Sequence, residues 1–247
     1  IVLMAGKGNR MKSIDNVKKP YLKINNDVLY NFCTKNFIPK NKKFIAISGD
    51  EQDLNHSFDK NFISNIVVGK TTSSTDTLLV SIEKTKLDPK KGLFIMPCDA
   101  SINFCWQDFL KFIQKNVNAD GIIFSYGSYP YAKWMPHQYG WLKTNNNNLI
   151  KNIGLKSGWD KKFSNPIVTG YFWFPNINKL KKNLKNFIKY NQNNTKETSL
   201  DEFCSYLIKN KSFIYSYKVD DFLCLGLPEE FRTYEYFLEA NEISSFY

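Results

Sequence analysis

The fold is first indicated by the stretch Ile1-Val-Leu-Met-Ala-Gly-Lys-Gly-Asn-Arg-Met11. Its first five residues are apolar and predict a buried strand, and the two glycines that follow predict a tight loop at the strand's end. Gly6 and Gly8 let the backbone approach a ligand closely, because glycine has no Cβ and tolerates positive φ. Successive N–H groups in such a loop can hold phosphate oxygens. The stretch therefore predicts a strand followed by an anion-binding turn.

Two standard glycine motifs are excluded for this loop. A dinucleotide-binding fingerprint needs a third glycine three residues after Gly8, where Met11 stands. A Walker A loop needs Gly-Lys-Ser/Thr after four spacers, and this loop does not supply it. A glycine pair alone is typical of any tight strand-to-helix turn. Arg10 and the Lys19-Pro20 pair add cationic reach, so the loop is interpreted as a phosphate-binding loop of another kind.

Outward from the loop, apolar strands alternate with amphipathic helices. In the first half, strands are predicted at 1–5, 43–48, 65–68, 93–97 and 121–126, and helices at 28–38, 50–58, 73–84 and 106–116. The second half predicts a hairpin of 139–144 with 149–154, strands at 168–174, 213–217 and 222–225, and helices at 177–190, 200–209 and 228–241. The predicted fold class is α/β, with a mixed, mostly parallel Rossmann-like sheet flanked by helices.

Length and composition exclude several classes of protein. The 247 residues fit one domain, and 43% hydrophobic residues exclude a disordered chain. No apolar run reaches the roughly 18 residues of a transmembrane helix, so no membrane insertion is predicted. A strand that starts at the first residue has no lead-in. We therefore expect this sequence to be a piece of a longer product or to lack a short N-terminus.

The net charge of +11 favours a nucleic-acid partner less than its size suggests. Arg10 and Arg232 are the only arginines among 34 basic residues, and Arg is the better fork for phosphate and guanine contacts. The lysines are scattered, which is typical of a solvated surface, so no nucleic-acid partner is predicted. The five cysteines form no C-x-x-C pair, which predicts neither a zinc site nor a disulfide framework and favours a cytoplasmic location.

The glycine loop with its downstream Lys-Pro pair resembles the signature of the sugar-phosphate nucleotidyltransferases, Leu-Ala-Ala-Gly-x-Gly-Thr/Ser-Arg-Met/Leu. Residues 3–11 differ from it at Met4 and Asn9. Further segments resemble the family's motifs in the family's order: 71–79, 94–99, 154–156, 169–174 and 225–229. The resemblance covers most of the chain. It implies the nucleotide-diphospho-sugar transferase fold in one domain, with 1–126 as the nucleotide-binding half and 127–247 as the acceptor-binding half.

The resemblance also implies a reaction. A phosphate oxygen of an acceptor attacks the α-phosphorus of a nucleoside triphosphate, and pyrophosphate leaves. Arg10, on the leaving pyrophosphate, and Lys19, on the α-phosphate, are the implied catalytic residues. The implied nucleotide-binding residues are Leu3, Ala5, Gly6, Gly8, Thr75 and Asp99. Asp99 is also the implied Mg²⁺ ligand, and the implied acceptor-binding residues are Lys156, Gly170 and Tyr171. The aromatic-rich stretch 126–141 is a further candidate lining of the acceptor pocket.

One departure from the family pattern leaves alternatives open. The family usually carries a second metal-binding Asp two residues before Gly226, and this chain has Cys224 there. Either one carboxylate is enough, or another side chain replaces the second one, or activity is reduced. Asp220 and Asp221 lie close in sequence but would need a different backbone placement. The hypothesis adopted is a Mg²⁺ site with one carboxylate. The alternatives to a nucleotidyltransferase are a glycosyltransferase of related fold, for which Asp99 is only the first Asp of a D-x-D motif, and a non-catalytic nucleotide-sensing relative.

The substrates are only partly indicated. CTP or UTP is favoured, although no residue decides the base. The default acceptor is a sugar 1-phosphate, with a phosphorylated amino-alcohol or amino acid left open. The expected role is the synthesis of precursors for surface polysaccharide, and a homo-oligomer is left open.

Overall fold

The computed structural model describes residues 1–6, 8–35, 43–58, 63–127, 129–154, 166–192 and 198–244. Its strands are β1 (Val2–Leu3), β2 (Lys23–Ile24), β3 (Asp27–Val28), β4 (Lys43–Ile47), β5 (Ile63–Val67), β6 (Leu93–Pro97), β7 (Ala100–Asn103), β8 (Gly121–Tyr126), β9 (Trp141–Thr144), β10 (Ile150–Gly154), β11 (Ile167–Phe174), β12 (Ile214–Lys218) and β13 (Asp221–Cys224). Its helices are α1 (Leu29–Thr34), α2 (Glu51–Asn55), α3 (Ser74–Lys84), α4 (Trp106–Lys115), α5 (Pro130–Trp134), α6 (Ile177–Tyr190), α7 (Leu200–Lys209) and α8 (Pro228–Ser244). Short 3-10 helices lie at Asn9–Ser13, Lys19–Tyr21 and Pro136–Gln138.

A large mixed sheet organises these elements. Its central strands follow the order β5-β4-β1-β6-β11-β8-β12. The pairs β4–β5, β1–β4, β1–β6 and β8–β12 are parallel, whereas β11 runs antiparallel to β6 and to β8. Among these seven described strands β11 alone is reversed. The predicted fold class, a mixed and mostly parallel sheet flanked by helices, is therefore confirmed.

The sheet is buried on both faces because its strands alternate their side chains between two apolar clusters. Ile45 and Ile47 of β4 belong to one cluster, and Ala46 between them belongs to the other. The first cluster also holds Phe109 of α4, and the second holds Leu78 of α3. Strands buried on both faces read as continuous apolar runs, which is why β4, β6 and β8 could be predicted from sequence.

Helix boundaries follow capping chemistry. The Ser73 side chain accepts a hydrogen bond from Asp76 N–H at the start of α3. At the start of α7, Ser199 and Glu202 form a reciprocal capping box. These caps satisfy backbone donors that lack partners in the first turn. They explain why the predicted starts at 73 and 200 agree with the structure to within one residue.

The antiparallel hairpin of β9 and β10 is confirmed, and it joins the large sheet through Ile167 of β11, opposite Trp141. Other features differ from expectation. The predicted strand at 1–5 is only two residues long in β1, and β7, α5 and the β2–β3 hairpin were not predicted. The strand predicted at 222–225 pairs with β7 in a separate two-stranded ribbon rather than with the large sheet. Short strands with one long-range partner carry little periodicity of their own.

The sheet continues across the predicted boundary between the two halves. β8, which ends at Tyr126, pairs with β11 and β12, and both of these belong to the second half. Among the described helices, none combines the length and the apolar character needed to cross a membrane.

Candidate active site

Lys19 and Asp99 meet at the carboxyl end of the parallel part of the sheet. Asp99 lies two residues beyond the end of β6, and Lys19 begins the 3-10 helix Lys19–Tyr21. The Lys19 ammonium donates to Asp99 Oδ2 at 2.5 Å, and the two side chains are 19% and 16% exposed. Open α/β sheets bind ligands at this edge, outside the carboxyl ends of their strands. The structure thus brings together two predicted site residues that are 80 positions apart in the sequence.

The glycine loop packs directly on Lys19. Gly8 has φ +61, in the left-handed region, and a Cβ placed on it would lie 2.8 Å from Lys19 Cβ. Arg10 follows on the 3-10 helix Asn9–Ser13 with an exposed side chain. A residue larger than glycine at position 8 would be strained and would displace Lys19.

The β7–β13 ribbon fixes the backbone of Asp99. In this ribbon Ala100 pairs with Cys224, and Leu225 N–H donates to the Asp99 carbonyl oxygen at 2.8 Å. A Cβ added to Gly226 would lie 2.8 Å from Asp99 Oδ2 and 3.5 Å from Cys224 Sγ. The 225–229 segment therefore approaches Asp99 closely, and glycine at 226 is needed for that approach.

A cavity lies in front of this arrangement. Residues from both halves of the chain line it, among them Arg10, Asp99, Tyr139, Gly170, Asp201 and Cys224. Gly170 has φ +84 and stands where the register of β11 shifts against β8. An added Cβ there would lie 3.3 Å from Pro97 Cγ, so the turn at Gly170 lies close to the end of β6.

Both members of the Lys19–Asp99 pair stay ionised. Burial alone would lower the pKa of Lys19, but the Asp99 carboxylate beside it outweighs burial and raises the pKa above its ordinary value. Burial alone would raise the pKa of Asp99, but Lys19 and then Arg10 hold it below its ordinary value. Lys19 is therefore a cation and Asp99 an anion at neutral pH.

A buried carboxylate, Glu230, holds the wall of the cavity together. Its side chain accepts hydrogen bonds from the hydroxyls of Tyr129 and Tyr139 and from Leu227 N–H, and the Cys224 thiol donates to it as well. Burial raises the pKa of Glu230, and these donors oppose that effect. Glu230 was not predicted as a functional residue, although it directly follows the 225–229 motif at the start of a helix.

Several solved structures share this architecture at low sequence identity. A nucleoside-diphosphate-sugar pyrophosphorylase from Vibrio cholerae matches with a TM-score of 0.71 at 13% identity, over 95% of this chain and 99% of that one. An inositol-1-phosphate CTP transferase from T. maritima matches with a TM-score of 0.67 at 16% identity, over 95% and 92%. A putative glucose-1-phosphate thymidylyltransferase from Bacillus anthracis matches with a TM-score of 0.64 at 12% identity, over 96% and 93%. The chain has the fold that these three structures share. No protein-family model and no curated protein matches the sequence.

The remaining predicted nucleotide-binding residues lie at or just beyond the end of β1 and in α3. Leu3 and Ala5 are half-buried at the end of β1, and Gly6 is exposed just beyond them. Thr75 is fully buried in the first turn of α3, where its hydroxyl shares hydrogen bonds with those of Ser73 and Thr198. The Thr75 hydroxyl is therefore engaged with two other side chains, and its role in nucleotide binding stays a prediction.

The predicted acceptor-binding residues divide into three cases. Gly170 lines the cavity. Tyr171 is fully buried, and its hydroxyl donates to the Ala100 carbonyl oxygen at 2.8 Å, so it supports the backbone next to Asp99 instead of lining the cavity. Lys156 lies outside the described residues.

The aromatic stretch 126–141 contributes to the cavity through Tyr139. Tyr129 is buried behind it, with the two rings 5.7 Å apart, and Trp134 is 69% exposed. One ring of this stretch is therefore a wall of the cavity, and the others pack in the core or at the surface.

The donor set fits a magnesium ion held partly by substrate. Mg²⁺ takes oxygen ligands and is usually bound by one or two carboxylates together with phosphates and water. Asp99 supplies one carboxylate, and Asp201 lines the same cavity. Cys224 offers sulfur, which suits softer metals. The described residues hold no group of three or more metal-binding side chains, so phosphate and water would complete the coordination.

Asp220 and Asp221 lie at the opposite end of the β7–β13 ribbon from position 224. Asp221 pairs opposite Asn103, whereas Cys224 pairs opposite Ala100 at the other end of the same ribbon. Neither Asp220 nor Asp221 lines the cavity. Asp201, which sequence reasoning did not select, is the second carboxylate at this cavity.

Proposed function

We propose that the protein is a nucleotidyltransferase that transfers a nucleoside monophosphate from a nucleoside triphosphate to a phosphorylated acceptor and releases pyrophosphate. The observation that carries this proposal is the Lys19–Asp99 pair, which lies at the carboxyl edge of β6 with the Gly8 turn packed on Lys19. The shared architecture with nucleotidyltransferases and pyrophosphorylases supports it.

The work left to the enzyme is to orient two anions and neutralise charge, since no covalent nucleophile is needed. Lys19 binds the α-phosphate and stabilises the charge that develops as the acceptor oxygen approaches. Arg10, exposed on the same cavity, binds the leaving pyrophosphate. Asp99 holds Mg²⁺, which when bound neutralises phosphate charge. The backbone of the glycine loop binds the triphosphate.

The proposal divides the chain into a nucleotide-binding half, 1–126, and an acceptor-binding half, 127–247. The position of the cavity supports this division, because Arg10 and Asp99 line it from the first half and Tyr139, Gly170 and Asp201 line it from the second. Gly170 and the 155–165 segment, which contains Lys156, belong to the acceptor side in this proposal.

The substrates we propose are CTP or UTP and a sugar 1-phosphate. The product would serve as a precursor for surface polysaccharide. The enzyme would work in the cytoplasm. The fold shared with a protein described as an inositol-1-phosphate CTP transferase supports CTP as a candidate. Another with the same fold is described as a glucose-1-phosphate thymidylyltransferase, which supports sugar 1-phosphates as acceptors.

The test is pyrophosphate release in a matrix of the four nucleoside triphosphates, Mg²⁺ and a panel of sugar 1-phosphates and phosphorylated amino-alcohols. We expect release that needs one triphosphate and one phosphorylated acceptor together. A thermal-shift series with the same triphosphates identifies the base first, because a ligand that binds only the folded state raises the melting temperature. Hydrolysis or transfer from a nucleoside-diphosphate-sugar would instead indicate the glycosyltransferase alternative. Nucleotide binding without turnover on any acceptor would indicate a sensing protein.

A further inference from the structure

A second cluster of charged side chains lies beside the Lys19–Asp99 pair. Lys18, the residue that precedes Lys19, is at its centre. The Lys18 ammonium contacts both carboxylate oxygens of Asp53 at 2.7 Å, Ser48 Oγ at 3.0 Å and Asp50 Oδ2 at 3.0 Å. The Lys18 side chain is 8% exposed and that of Asp53 is fully buried. Adjacent lysines therefore direct their ammonium groups to two different carboxylates, Asp53 and Asp99.

Asp53 binds the chain on both sides of Lys19. Besides Lys18, it accepts a hydrogen bond from the Tyr21 hydroxyl at 2.6 Å. Ser48 Oγ and Gly49 N–H donate to its other oxygen, each at 2.9 Å. One carboxylate thus holds the residue before Lys19 and the residue two positions after it.

The anchoring carboxylate itself stands on the sheet. Ser48 and Gly49 follow β4, which pairs in parallel with β1, and Asp53 lies in α2 immediately afterwards. The backbone N–H of Lys18 also donates to Gln52 Oε1, at 2.7 Å. Pro20 restricts the turn between the two anchored residues, because its ring fixes φ. The backbone of Lys19 is therefore tied to the carboxyl end of β4 while its side chain reaches Asp99 beyond β6.

The electrostatics keep this anchor charged. Burial alone would raise the pKa of Asp53, but the hydrogen bonds from Lys18, Tyr21, Gly49 and Ser48 outweigh it and hold the pKa below its ordinary value. A buried carboxylate with this many donors is costly to disturb, since removing one partner leaves the other charge buried and unpaired.

We propose that Lys18 and Asp53 are positioning residues that hold Lys19 in place for its phosphate. This inference rests on the proposed function for the identity of that phosphate, but not for the geometry of the anchor. The Lys18 side chain is 8% exposed and that of Asp53 is fully buried, whereas the Lys19 side chain is 19% exposed, so both residues would act through Lys19. A misplacement of about 1 Å at a catalytic group costs about 100-fold in rate.

The test compares Asp53→Asn with Asp50→Asn. Both carboxylates contact Lys18, but only Asp53 also binds Tyr21, and the Asp50 side chain is 51% exposed. Asn at position 50 keeps an oxygen for the cap of α2. For Asp53→Asn we expect kcat for pyrophosphate release to fall by about 100-fold, with a smaller change in KM for the triphosphate. For Asp50→Asn we expect kcat within about twofold of wild type.

A double variant separates positioning from general destabilisation. In a Lys19→Met background, Asp53→Asn should cause no further loss of kcat, because the group it positions is already gone. An equal loss in both backgrounds would overturn the proposal, as would wild-type kcat in Asp53→Asn. Lys18→Arg should retain more activity than Lys18→Met, because Arg can still pair with Asp53. Circular dichroism at the assay temperature confirms that every variant is folded.

A readout that does not need turnover keeps the anchor distinguishable from the proposed function. Trace reductive methylation followed by mass spectrometry reports the accessibility of the Lys19 amine in the full chain. We expect the labelling of Lys19 to rise in Asp53→Asn and to stay at the wild-type level in Asp50→Asn. Unchanged labelling in Asp53→Asn would overturn the anchor even if the enzyme is active. Increased labelling in a chain that shows no pyrophosphate release would support the anchor while the proposed function fails.

Discussion

The ammonium of Lys19 and the carboxylate of Asp99 form a direct ion pair at 2.5 Å across 80 positions of sequence. In the proposed reaction both groups have other partners, since Lys19 binds phosphate and Asp99 binds Mg²⁺. The ion pair holds both side chains at the same site. In the proposed reaction, phosphate and Mg²⁺ would replace this contact.

Asp99→Asn should remove magnesium-dependent turnover. The amide keeps the size of the carboxylate but loses the charge that would hold the ion, and it no longer neutralises Lys19. We expect pyrophosphate release to fall by about 100-fold or more, as when one group that stabilises transition-state charge is removed. The control is Asp221→Asn, because Asp221 is exposed at the far end of the β7–β13 ribbon. Full magnesium-dependent turnover in Asp99→Asn would rule out Asp99 as the metal ligand.

Gly226→Ala should reduce activity without unfolding the protein. The added Cβ would lie 2.8 Å from Asp99 Oδ2, so the carboxylate oxygen that pairs with Lys19 must shift. We expect a loss of kcat of about 10- to 100-fold, because small displacements at a reacting centre are costly. Gly127→Ala is the matched control, since a Cβ there meets no atom within 4 Å. If both variants keep wild-type kcat, the close approach of the 225–229 segment has no part in catalysis.

The parts of this site that could be predicted from sequence are those carried by local pattern. β6 reads as an apolar run, and Asp99 follows it at once. The glycine loop follows β1 in the same way. In both cases the chemistry lies at the end of a strand, where neighbouring parallel strands bring their ends together.

The parts that could not be predicted depend on contacts between distant segments. Glu230 accepts from Tyr129 across 101 positions, and Lys18 finds Asp53 across 35. Charged residues most often lie on the surface of a protein. Only their partners in the folded structure show that Glu230 and Asp53 are buried. Thr75 is the opposite case, and its role in nucleotide binding stays a prediction. Its motif favours a ligand contact, but its hydroxyl is bonded to Ser73 and Thr198.

Glu230→Gln should change how stability depends on pH. Because burial raises the pKa of Glu230 above its ordinary value of 4.5 in the folded protein, the folded state favours the protonated acid. This contribution to stability is complete below the unfolded pKa and is lost as pH rises through the folded pKa. Glutamine cannot titrate. The free energy of unfolding of the variant, relative to wild type, should therefore increase as pH rises from about 4.5 towards neutrality.

Thermal or urea unfolding across that pH range measures the effect of Glu230→Gln. Glu229→Gln, at the exposed neighbouring position, is the control and should show no such trend relative to wild type. A difference between Glu230→Gln and wild type that stays constant with pH would mean that Glu230 titrates alike in the folded and unfolded states.

Cys224→Asp should make the stability of the site depend on Mg²⁺. Burial raises the pKa of the Cys224 thiol well above its ordinary value, so the side chain is a neutral donor to Glu230. An aspartate there would stand close to the carboxylates of Asp99 and Glu230, and unpaired buried charge costs about 1–3 kcal/mol or more. We expect a lower melting temperature in the presence of a chelator and a recovery when Mg²⁺ is added, because the ion would bind between Asp99 and the new carboxylate. Cys224→Ser keeps a hydroxyl donor for Glu230 and should melt near wild type in either condition. If Mg²⁺ does not raise the melting temperature of Cys224→Asp beyond its effect on Cys224→Ser, position 224 does not face the metal.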